Sequence, residues 1–134
     1  MTKETLIYIA YKTCDSLGDG KVDGSFQFSR AKTLIAMYAI AHYVQIMLII
    51  KYIKNERFDW STEVMYITYL ISGFIAFFLV SLVFTKKTLF KSLQLYNHSS
   101  LKDYARLIGL CYLFGNILVV ILLYLKYKAK VYAL

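Results

Sequence analysis

Two histidines, two cysteines and eight carboxylates make up most of the reactive inventory of this 134-residue chain. His42 has Tyr38 one helical turn before it and Gln45 one turn after, so all three share a face if the segment is helical. An imidazole among hydroxyl and amide partners suits two kinds of chemistry. It can pass a proton or bind an ion in a path through a membrane, or it can hold helices together by hydrogen bonds. A relay normally adds further titratable groups, and no carboxylate falls in the long apolar runs around His42. The expectation is therefore interhelical hydrogen bonding. Ser72 and Asn116 fall at the middle of two other apolar runs, so His42, Gln45, Ser72 and Asn116 are expected as polar contacts at one depth.

Other constellations are weaker. Gly18–Ser25 reads GDGKVDGS, and Asp15, Asp19 and Asp23 have the spacing of half a calcium loop. Leu17 and Phe26 stand where that loop needs a second ligand and a bidentate acid, so a tight turn is expected instead. Cys14 and Cys111 are expected at different depths, too far apart to bridge. His42 and His98 are isolated from any metal-spaced partner. Neither a Gly-rich phosphate loop nor a nucleophile elbow occurs. No metal, no cofactor and no enzyme activity are expected.

The elements that carry these residues follow from composition. Hydrophobic residues are 59% of the chain, charged residues 18%, and proline is absent. A soluble domain of this size cannot bury that much apolar surface, and disorder requires the opposite composition. Three runs lack Asp, Glu, Lys and Arg altogether: 33–50, 64–85 and 107–125. Each is near the 20 helical residues that cross a hydrocarbon core of about 30 Å. The expectation is a single all-α integral membrane domain over 1–134. Its three transmembrane helices cover about 33–53, 62–85 and 104–126. Tyrosine, phenylalanine and Trp60 at the span ends fit the two water interfaces.

Residues 1–32 form an N-terminal interfacial segment. Within it, Leu6, Ile9, Ala10, Cys14 and Leu17 recur at helical spacing. A short amphipathic helix on the membrane surface is expected, with Leu6, Ile9 and Leu17 in lipid. Residues 86–97 are expected to continue the second helix, and Ser100 with Asp103 to cap the third. Ala105 with Gly109, and Cys111 with Gly115, place small residues four apart, where helix backbones can approach closely.

Charge gives an orientation. Ten of the sixteen basic residues lie on the side of the N-terminus and of Lys86, Lys87 and Lys91, and six on the other. The positive-inside rule makes the first side cytoplasmic. The net charge of +8 is assigned to lipid headgroups, with Lys86, Lys87 and Lys91 as contacts. The charges form no single stripe, so nucleic acid is not an expected partner. The expected partners are the bilayer and other membrane subunits or copies of the chain. The functional expectation is a structural or accessory component of a membrane assembly. The alternative is an oligomeric channel or a holin-like permeabilising protein, a likeness of architecture without a shared motif.

Overall fold

A computed structural model describes residues 2–15, 24–57 and 62–132. Among these the fold is all-helical, with no strand. The helices are α1 (Lys3–Asp15), α2 (Gly24–Lys54), α3 (Thr62–Val83), α4 (Lys86–Tyr96) and α5 (Leu101–Val131). Three of them, α2, α3 and α5, are long and apolar enough to cross a membrane. At 31 residues each, α2 and α5 are about 46 Å long. They exceed a bilayer core by about a turn and a half at each end.

The bundle has a packed end and an open end. At the packed end α1 is enclosed by the first halves of α2 and α5 and by α4. Ile7, Tyr8, Ala10 and Thr13 have no exposed surface. At 100° per residue these four positions point to different sides of the helix, so α1 is surrounded rather than laid on a surface. The larger core cluster joins Ile7, Ala10 and Cys14 to Phe28, Leu34 and Tyr38 of α2 and to Val80 and Phe84 at the end of α3. Burying a side chain such as Ile7 contributes about 1.5–3 kcal/mol relative to leaving it in water. At the open end Leu48 of α2 packs on Tyr127 and Val131 of α5. Over the bundle as a whole α3 packs on α2 and makes little contact with α5.

Three expectations are corrected. Ile9 is 5% exposed, packed with Tyr8 and Ala105, and Leu6 packs against the main core. An apolar helical stripe serves a protein neighbour as well as it serves lipid, and here the small side chains of α5 provide the neighbour. Leu17, and the turn expected near 18–25 up to residue 23, lie outside the described residues. The second span does not run on through residues 86–97. It stops at Val83, and Thr85, in extended conformation, caps a new helix by accepting from the Thr88 amide at 3.4 Å. Within that helix Phe90 is exposed, while Thr88, Leu89 and Ser92 form the buried face. Ser100 makes no side-chain cap bond; it is already helical in its backbone angles, and its carbonyl accepts from Asp103 at 3.2 Å.

α2 ends by a backbone rule rather than a proline. Asn55 adopts a left-handed φ of 56°. The Glu56 amide donates to Lys51 O at 3.1 Å and the Asn55 amide to Tyr52 O at 3.4 Å. This is the paired bonding of a Schellman end, with asparagine in the place glycine usually takes.

Candidate functional site

α2 presents Tyr38, His42 and Gln45 on one face, and α5 presents Gly109, Tyr112 and Asn116 on the face opposite. The Asn116 amide nitrogen donates to Tyr112 O, one turn back, at 2.8 Å. That turns its oxygen outward, where it accepts from Gln45 Nε2 at 2.9 Å. Gln45 Oε1 is thereby left facing His42 Nδ1 at 3.2 Å. An amide oxygen only accepts, so Nδ1 carries the imidazole proton and Nε2 is an acceptor. The Tyr112 hydroxyl sits against Nε2 and donates to it. Tyr38, stacked edge-on to Tyr112 with centroids 4.8 Å apart, donates its hydroxyl to Gly109 O at 3.0 Å. The bonds run from the Tyr112 hydroxyl through His42, Gln45 and Asn116 back to the Tyr112 carbonyl.

Of the four polar residues expected at one depth, His42, Gln45 and Asn116 come together in this network. Ser72 does not. It lines a separate cleft of about 500 Å³ between α3 and α5, floored by α2. Among the described residues no buried side-chain N or O atom lacks a partner, and no three His, Cys, Asp or Glu residues gather as metal ligands. Tyr112 is the member that the depth argument does not reach. The signal for it was spacing, four residues before Asn116 on the same face.

The small residues divide by use. Ala105 and Gly109 receive α1: Ala105 has no exposed surface, and a Cβ on Gly109 would meet the Thr13 hydroxyl and Ile9. Gly115 has nothing within 4 Å of the position its Cβ would take. It and Cys111 face outward on α5.

Lys86, Lys87 and Lys91, the expected headgroup contacts, are exposed at the packed end. Lys86 and Lys87 open α4, where the helix dipole does not favour cations, and both point outward. Lys91 pairs with Glu4 at 3.4 Å. A hydrogen bond from its own backbone amide, aided by Lys91, holds the Glu4 carboxyl below its ordinary pKa. Burial raises the Cys14 thiol, with partial opposition from Arg30. At the open end Lys130 donates to Tyr52 O at 2.7 Å and lies over its ring. The Tyr127 hydroxyl donates to Glu56 O at 2.9 Å. These contacts pin the end of α5 to the end of α2.

No protein-family model matches the chain, and no curated protein and no solved structure matches it either.

Proposed function

We propose that the chain is a non-catalytic integral membrane protein and a structural or accessory component of a larger membrane assembly or homo-oligomer. The observation that carries this reading is the closed network of His42, Gln45, Tyr112 and Asn116. Two of its bonds, Gln45 to Asn116 and Tyr112 to His42, tie α2 to α5, and the others orient the side chains that make them, which is the use expected of polar groups in hydrocarbon. In this reading α2, α3 and α5 span the bilayer, and α1 plugs the packed end at the water interface. The ten-to-six basic count puts that end and the N-terminus in the cytoplasm.

Docking is assigned to the outward face of α5 at Cys111 and Gly115. The neighbouring pair, Ala105 and Gly109, already receives a helix within the chain, which supports the same use for the open pair. Purification in mild detergent, with masses taken of all that co-elutes, tests the role. Defined foreign subunits or a discrete homo-oligomer, weakened by Gly115→Leu, is the expected result. A monomer at all concentrations, unchanged by Gly115→Leu, contradicts it.

One observation favours the channel reading as a second choice. His42 keeps exposed surface at mid-span despite its bonds, so copies arranged about an axis can present it to a shared path. Orientation is tested separately with an impermeant maleimide on Phe58→Cys and Lys87→Cys in intact cells. Labelling at 58 alone is expected; labelling at 87 alone reverses the orientation.

A further inference from the structure

The cleft between α3 and α5 has the length of one leaflet and an apolar body with a cation at its mouth. Its floor on α2 includes Val44 and Leu48, its deep end on α3 includes Ser72, and Val120, Lys128 and Tyr132 follow along α5. From Val120 to Tyr132 the helix rises about 18 Å. Half of a bilayer core is about 15 Å. Ser72 lies at the middle of its span, so the cleft runs from mid-membrane to the interface at the open end.

The charges at that end are mostly committed. Lys51 pairs with Glu56 at 2.9 Å, Lys126 and Lys130 lie over the Tyr52 ring, and Arg57 lies over the Tyr132 ring. Lys128 lines the cleft and has no partner among the described residues. A cation at the headgroup level above an apolar slot matches a molecule with a negative head and a hydrocarbon tail.

We propose that this cleft binds one anionic phospholipid, with an acyl chain along α2 and the phosphate at Lys128. The inference rests on the bilayer placement proposed above and is independent of the assembly role. Lys128 sets the preference for a negative head. The apolar body, with Ser72 among its lining residues, holds the chain.

The test is native mass spectrometry of the full chain, released from vesicles of equal phosphatidylglycerol and phosphatidylcholine. One phosphatidylglycerol retained per chain is the expected result. Lys128→Gln should lower that retention about fivefold, the factor that corresponds to about 1 kcal/mol for one basic residue near an anionic headgroup. Lys54→Gln, an exposed cation outside the cleft, should leave it unchanged. Ser72→Phe should fill the deep end and release lipid of both kinds while the helical circular dichroism is kept. Equal retention of the two lipids, or retention indifferent to Lys128→Gln, overturns the proposal. So does a second copy of the chain bound in place of lipid and lost in Ser72→Phe. Flotation with the vesicles separates the two layers of the argument. A chain that floats without lipid preference defeats the cleft alone, and a chain that does not float defeats the bilayer placement and the cleft with it.

Discussion

The hydroxyl of Thr13 occupies the space that a side chain on Gly109 would need. Thr13 donates that hydroxyl to Ile9 O at 2.7 Å, so its proton is used within α1 and the oxygen lies flat against α5. α1 can approach α5 this closely because residue 109 has no Cβ. Gly109→Ala should therefore destabilise the packed end by about 1–3 kcal/mol, the usual cost of inserting a methyl into a filled core. Gly115→Ala, with nothing within 4 Å, should stay within about 0.5 kcal/mol. Equilibrium unfolding of both variants in detergent measures the contrast. Equal effects would mean that α1 does not seat on Gly109.

Cys14 reports on the same seat. It is 7% exposed, and burial raises its thiol above the ordinary value. The thiolate is the reactive form. In a Cys111→Ser background, alkylation at pH 7.5 (roughly a unit below the model-peptide thiol range) should be slow in the folded protein and fast after denaturation. Gly109→Ala should raise the folded-state rate several-fold. Rapid labelling of the unaltered protein would place α1 outside the core.

Glu4, held first by its own backbone amide and then by Lys91, makes the seat pH-dependent. The folded pKa of Glu4 lies below its reference value of 4.5. Its contribution is therefore complete above about that value and is lost as pH falls through the lower folded pKa. Hydrogen exchange of the α1 amides, corrected for intrinsic rates, should show protection declining in that acid window. Glu4→Gln should weaken protection at neutral pH and flatten the acid response. An unchanged profile in Glu4→Gln would assign the acid response to another group.

Gln45 and Asn116 should be coupled. Asn116→Ala removes the side-chain acceptor of Gln45 Nε2, leaving only the long bond to the residue 116 carbonyl at 3.5 Å, and loosens the amide that otherwise orients His42. A double-mutant cycle with Gln45→Leu should give an interaction of about 0.6–2 kcal/mol, the range for hydrogen bonds between membrane helices. Additive effects would show that the two amides do not act together.

The long helices were legible in the sequence because an apolar run free of charges has few alternatives at that length. The common depth of His42 and Asn116 was legible for the same reason, since each sits near the centre of its run. The seat of α1 was not. Leu6, Ile9 and Cys14 form a stripe that fits lipid or protein equally, and only the absence of side chains at Ala105 and Gly109 decides between them. Thr85 was hidden by the continuing helical pattern of Leu89 and Leu93, although its hydroxyl is a ready N-cap. Ser72 shares the depth of His42 but lies on α3, where it lines the cleft beside Val44 and Leu48; depth alone carries no information about azimuth.

The central claim is that the mid-span polar groups hold helices together and do not conduct. The most direct measurement is ion flux and fold stability, taken together, on the unaltered protein and on His42→Leu reconstituted in vesicles. The account predicts no flux above empty vesicles from the unaltered protein. It also predicts that His42→Leu inserts normally and loses about 1 kcal/mol of stability. Flux from the unaltered protein that disappears in His42→Leu, with stability unchanged, would contradict it.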